Sequence, residues 1–122
     1  MSAQNDPLRT VMRLLLRSID SKDWGVVEAL LHPATEYDVS GFVPFRGRDA
    51  VMNYYRNVRP VAQGEHIIES MMVDGDSGVC WGRFSGKLRD GEEISVWFAD
   101  VMQFENRKIR KRRVYYCEPK VA

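Results

Sequence analysis

The chain holds 122 residues, 44% of them hydrophobic and 29% charged, which allows one domain with a real core and leaves no room for two. Eighteen Lys and Arg stand against seventeen Asp and Glu, a net charge of +1, so no global field favours nucleic acid or an anionic membrane. No apolar run approaches the roughly 18 residues needed to span a bilayer. The opening Met-Ser-Ala-Gln-Asn-Asp-Pro lacks the basic and apolar regions of a secretion signal, and the expected address is cytoplasmic. Cys80 and Cys117 are the only cysteines and His32 and His66 the only histidines; none stands at metal-ligand spacing, so no metal is expected. A phosphate-binding glycine loop is missing too, and no cofactor is expected.

Asp6 and Pro7 form a helix start, the aspartate as cap and the proline in the first turn. Leu8, Val11, Met12, Leu15, Leu16 and Ile19 then recur at helical spacing. Asp23 caps a second helix over 24–31, closed by His32 and Pro33. Residues 34–39 have the β-branched and aromatic content of a first strand, with Glu36, Tyr37 and Asp38 in succession. A loop over 40–45 leads through Gly47, Arg48 and Asp49 into a third helix, which Pro60 stops.

Beyond Gly64 the period changes from helical to alternating. Four strands are predicted over 66–74, 79–89, 92–105 and 108–117, joined by Asp74-Gly75-Asp76, Arg89-Asp90-Gly91 and Glu105-Asn106-Arg107, all with hairpin chemistry. Long antiparallel strands after three helices indicate an α+β fold with the helices on one face of a curved sheet.

The third of these strands organises the rest. Alternation puts Val96, Phe98, Asp100, Met102 and Phe104 on one side and Ser95, Trp97, Ala99, Val101 and Gln103 on the other. One carboxylate thus stands among aromatic and thioether groups, where its pKa rises by up to about 3–5 units unless a cation or hydrogen-bond donors stand beside it. Either state is useful chemically; a purely structural aspartate bonded to backbone or to an arginine is the other reading.

Element order and three local phrases, Trp-Gly-Val-Val-Glu-Ala-Leu-Leu-His over 24–32, Phe-Arg-Gly-Arg-Asp-Ala-Val over 45–51 and Phe-Ala-Asp-Val-Met-Gln-Phe over 98–104, resemble the nuclear transport factor two-like fold. The likeness is to its SnoaL-like and ketosteroid-isomerase-like branch. That resemblance implies a cone-shaped curved antiparallel sheet packed on three N-terminal helices, with an apolar pocket that admits small lipophilic substrates. Isomerases of this type use one aspartate as base and a second, protonated aspartate with a tyrosine as oxyanion hole. Carried over, this nominates Asp38 as base and Asp100 as the protonated acid. The first-helix tyrosine is replaced by Leu14-Leu15-Leu16, leaving Tyr54, Tyr55 or Tyr116 as phenols, each equally readable as core packing.

Arg83 has two placements. With Trp81 and Ser85 it faces the pocket and holds Asp100 ionised; with Cys80 and Phe84 inward instead, it points away. Epoxide hydrolases of this fold set an arginine between two aspartates, but the last strand has Arg113-Val114-Tyr115-Tyr116 where the second is expected. His66 is either a proton carrier at the cone mouth or an exposed strand end; His32 reads as punctuation. The run Arg107, Lys108, Arg110, Lys111, Arg112 and Arg113 is either a strand edge, meeting phosphate or a carrier-tethered acyl substrate, or a solvated face balanced by Glu92, Glu93 and Glu105.

The reading is a cofactor-independent isomerase, cyclase or dehydratase for a lipophilic carbonyl compound such as a polyketide or terpenoid intermediate. Asp38 and Asp100 move protons, Tyr55 and Arg83 orient or polarise, and Trp81, Phe98, Met102, His66 and Tyr116 meet the substrate. A noncatalytic ligand- or protein-binding module is the alternative, favoured if Asp100 is sealed from the cavity and bonded only to backbone. The expected partner is a second copy, bound through an outer sheet face bearing Trp97, Val101 and Met71, as the resemblance also implies; neither nucleic acid nor a membrane is expected.

Overall fold

The computed structural model describes residues 6–39 and 42–117. Its elements run α1 (Pro7–Asp20), α2 (Trp24–Leu30), β1 (Leu31–Val39), β2 (Phe45–Arg46), α3 (Arg48–Asn53), a π-helical turn (Tyr54–Val58), β3 (Val61–Asp74), β4 (Ser77–Leu88), β5 (Glu93–Glu105) and β6 (Lys108–Cys117). One six-stranded sheet has the order β2-β1-β6-β5-β4-β3. The α+β architecture read from the sequence is the one observed, with one refinement. The sheet is mixed, because β1 pairs parallel to β6 while every other pair is antiparallel.

Helix α1 begins where the sequence places it: the Asp6 carboxylate accepts from the Leu8 N–H at 2.9 Å, satisfying one of the orphan donors of the first turn. Its apolar stripe buries Met12, Leu15, Leu16 and Ile19 to 1% exposure or less, and α1 packs across β3 and β4. Each such side chain contributes about 1.5–3 kcal/mol by leaving water. No described helix is long and apolar enough to cross a membrane.

Curvature is written into β3 and β4. The β3 ladder slips between Val61 and Gln63 and again between Ile68 and Ser70, and an extra residue at each point bends and twists the strand. Both slips face a glycine: a β-carbon at Gly82 would lie 1.9 Å from the Ile67 carbonyl oxygen, and one at Gly86 would lie 2.2 Å from that of Gln63. Glycine is thus needed here for close backbone approach.

The second slip also corrects one expectation. It reverses the alternation, so Met71 is buried and Met72 is exposed on the outer face. His32 and Pro33 belong to β1 and do not close a helix. Of the expected loop over 40–45, residues 40 and 41 lie outside the described residues, and Phe45 forms part of β2.

Gly82→Ala is expected to lower stability by about 2 kcal/mol or more, since the obstacle is backbone and cannot swing aside. Ser85→Ala on the same strand is expected to change it by less than about 0.5 kcal/mol. Urea denaturation of the two variants checks the contrast; equal stability would mean that the curve does not depend on the glycine.

Candidate active site

The concave face of the sheet, α1 and the π-helical turn enclose a cavity of about 240 Å³. Its walls are mostly apolar, with Val39, Phe84, Ile94 and Val96 among them. Its polar groups are the phenols of Tyr37, Tyr54, Tyr55 and Tyr116, the guanidiniums of Arg59 and Arg112, and the imidazole of His66.

Asp100 does not line this space. It is fully buried and gripped by Arg112, whose Nε donates to both carboxylate oxygens at 3.1 Å and whose Nη2 donates to Oδ2 at 2.8 Å. On the β5–β6 ladder Asp100 stands opposite Val114 and Met102 opposite Arg112, so the ion pair is a diagonal cross-strand neighbour. Arg112 also donates through Nη1 to the Tyr55 hydroxyl oxygen and lies 4.6 Å over the Tyr37 ring, a cation–π contact. Burial alone would lower the Arg112 pKa, but the Asp100 carboxylate outweighs it and holds the guanidinium charged.

Tyr55 is held on both sides, stacked on Trp24 at 5.4 Å and on Tyr37 at 5.7 Å. Its oxygen accepts from Arg112, and among the described residues no acceptor takes its own proton. A phenol so polarised is a competent donor to negative charge forming in the cavity. Burial pushes Tyr54 up to about 12, aided by neighbouring Tyr55, and pushes Tyr37 well above the ordinary phenol value. Both therefore stay protonated at neutral pH.

His66 lies one strand turn from the first β3 slip, and its side chain is 4% exposed. The ring Nδ1 faces Asp20 Oδ1 at 2.6 Å, and the His66 backbone N–H donates to Asp20 Oδ2 at 2.8 Å. Phe84 and Phe98 pack against the ring at 4.6 and 5.1 Å. Asp20 comes from the last residue of α1, so this dyad joins helix to sheet. Among the described residues nothing bonds the second ring nitrogen, Nε2. An imidazole anchored at Nδ1 with Nε2 open is the arrangement of a general base.

The other nominated residues are dispersed. Asp38 sits on the face of β1 away from the cavity, 3.3 Å from the Arg113 guanidinium, because Tyr37 takes the inward position. Arg83 does not pair with Asp100: it lies 4.8 Å over the Trp97 ring and donates to the Ser95 hydroxyl at 2.9 Å. Both partners are outer-face residues, as is Trp81. Cys80, Gly82 and Phe84 take the inward positions of β4. Phe98 and Met102 are buried in the core behind the cavity wall. Tyr55, Tyr116 and His66 do line the cavity.

The basic run is neither a free edge nor evenly solvated. Strand β6 lies between β1 and β5, where Arg110 pairs with Glu36 at 3.5 Å and with Glu105 at 3.9 Å. Arg112 alone turns inward. The β5–β6 ladder slips where Gln103 faces Lys111 but Phe104 faces Ile109, so alternation counted from Ile109 points Arg112 outward. Counted back from Tyr116 and Val114, it points inward, and that was the available signal. Among the described residues no cluster of three or more His, Cys, Asp or Glu is placed to hold a metal.

The sequence model of the SnoaL-like domain family matches residues 12–112. Similar solved structures include an NTF2-like protein of unknown function from Burkholderia pseudomallei, 17% identical with TM-score 0.85 over 95% of each chain. A Mycobacterium tuberculosis LEH-like epoxide hydrolase is 18% identical with TM-score 0.80, over 90% of this chain and 82% of its own. TerC, co-crystallised with polyporic acid, is 12% identical with TM-score 0.81, over 91% and 92%. At such identities the likeness carries the fold alone. No curated protein matches the sequence. The chain belongs to the SnoaL-like domain family.

Breaking the buried ion pair from one side is expected to be severe: Arg112→Met should cost about 3–5 kcal/mol, because Asp100 is left buried and unpaired. The double replacement Asp100→Leu with Arg112→Met should recover most of that loss. A double-mutant cycle by urea denaturation checks the coupling, and additive single effects would show that the pair is not a unit.

Proposed function

We propose that this SnoaL-like domain is a cofactor-independent acid–base enzyme, an isomerase, cyclase or dehydratase acting on a compact lipophilic carbonyl compound such as a polyketide or terpenoid intermediate. The observation that carries the reading is His66, tied to Asp20 at 2.6 Å through one ring nitrogen with no described residue bonding the other, on the wall of an apolar cavity that Tyr55 also lines. His66 Nε2 takes a proton from carbon next to the substrate carbonyl while the Tyr55 O–H donates to the carbonyl oxygen. Asp20 stabilises the imidazolium, and Arg112 polarises the phenol. The imidazolium then returns the proton to another carbon in an isomerisation, or to a departing hydroxyl in a dehydration.

Asp100 is a positioning residue in this scheme, acting through Arg112. The fold is shared with an epoxide hydrolase and with a protein crystallised with polyporic acid, which supports chemistry on a small organic molecule. A noncatalytic ligand-binding module is the second reading; Asp100 is sealed behind Arg112 as that reading expects, although its partner is the arginine side chain and not backbone alone.

His66→Gln is expected to lower proton exchange at the α-carbon of compact cyclic enones in deuterated water by about 10²–10⁴-fold. Asp20→Asn should follow it and Asp38→Asn should not. Exchange is read by NMR; undiminished exchange in the His66 variant would leave only the binding module.

We further propose that the outer sheet face joins a second copy. Trp81, Trp97, Val101 and Tyr115 are each more than a third exposed there, and cross-strand register puts Trp81 beside Ala99 and Ala99 beside Tyr115. Such a patch on one face has the expectation of burial. Trp97→Lys with Val101→Lys is expected to halve the mass measured by sedimentation equilibrium; an unchanged mass would place any contact elsewhere.

A further inference from the structure

We infer that the ligand of this cavity is a compact organic acid whose anionic group is received by Arg59. The inference rests on the cavity being a ligand site, as proposed above, and adds the charge of the ligand. Arg59 is 8% exposed and lines the cavity. Among the described residues its guanidinium makes no hydrogen bond and no ion pair; the Phe84 ring lies 6.0 Å away, and the phenols of Tyr54 and Tyr116 feel its charge. A cation drawn largely out of water without a counterion is unfavourable, and the exposure the guanidinium nitrogens keep leaves them reachable by a ligand.

No carboxylate among the cavity-lining residues answers it. Asp100 is committed to Arg112, and Asp20 to His66. Local backbone holds the arginine where it is: its N–H donates to the Tyr54 carbonyl at 2.8 Å, closing the π-helical turn. Pro60 then confines it to extended backbone, with φ −52° and ψ 126°.

Arg112, whose charge Asp100 already answers, adds donors to the same wall. A guanidinium has five N–H donors; here one each on Nε, Nη1 and Nη2 is engaged, which leaves two. The walls between the cations are aromatic and aliphatic, so inorganic anions gain little from them and an organic acid gains on both counts. About 240 Å³ is below the roughly 300–1,000 Å³ of drug-sized sites, which sets the ligand as compact.

Calorimetric titration of the full chain with 2-naphthoate, its neutral isostere 2-naphthamide and inorganic phosphate tests this. The acid should bind roughly tenfold to a hundredfold more tightly than the amide, as expected for a hydrogen bond to a charged group. Arg59→Met should bind acid and amide alike and, without ligand, should melt no lower than the native chain. Arg59→Gln carries the same comparison if the methionine variant does not fold. The inference is overturned if the acid shows no binding, if it binds no better than the amide or phosphate, or if its advantage survives in the Arg59 variant. His66→Gln should keep the acid preference. Were it to keep full proton exchange as well, the acid–base reading would fail and the acid site would stand.

Discussion

The buried pair of Asp100 and Arg112 is the interaction on which the site depends. Taking both charges out of water costs several kcal/mol per ion, and a hydrophobic pair of the same volume would often be as stable. The pair does something an apolar pair cannot. Asp100 holds Arg112 in one plane with three hydrogen bonds, and that plane covers Tyr37 and reaches the hydroxyl of Tyr55. The charge of the pair is thereby delivered to the cavity wall as an oriented donor. A carboxylate placed directly in the cavity would repel a developing oxyanion; placed behind an arginine, it supports one.

How the chain makes room for this follows from its breaks in regularity. Two slips in β3, opposed by Gly82 and Gly86, curve the sheet. A π-helical turn before Arg59 brings both Tyr54 and Tyr55 to the cavity, although an ideal α-helix separates consecutive side chains by about 100°. A slip in β6 turns Arg112 inward beside Asp100. Each irregularity sits next to a polar group of the site, in keeping with bulges that re-aim side chains near functional surfaces.

That pattern also explains what could be read from the sequence. The inward face of β5 followed unbroken alternation, and its five residues are where period two puts them. The helix caps at Asp6 and Asp23 were legible because their chemistry is local. Met71 and Arg112 lay beyond slips, where counting forward inverts the answer. Arg83 and Trp81 were open between two faces because β4 has small or polar residues on both, and only the register with β5 decides. The His66–Asp20 dyad spans 46 residues of sequence, and no local pattern announces a contact between a helix end and a strand that far away.

The cavity wall therefore carries two kinds of polar group, the His66 imidazole backed by the Asp20 carboxylate, and the donors of Arg59, Arg112 and Tyr55. The leucines at 14–16 of α1 remove the tyrosine expected there, yet Tyr55 stands at the cavity from the third helical segment, held by stacking on Trp24 and Tyr37. In the proposed reaction the donors draw electrons toward the substrate oxygen while His66 takes the proton. The walls are mostly apolar, which weakens the screening of charges that face them. In the proposed site a ligand whose negative end meets Arg59 answers that cation, and the reverse orientation leaves it unanswered.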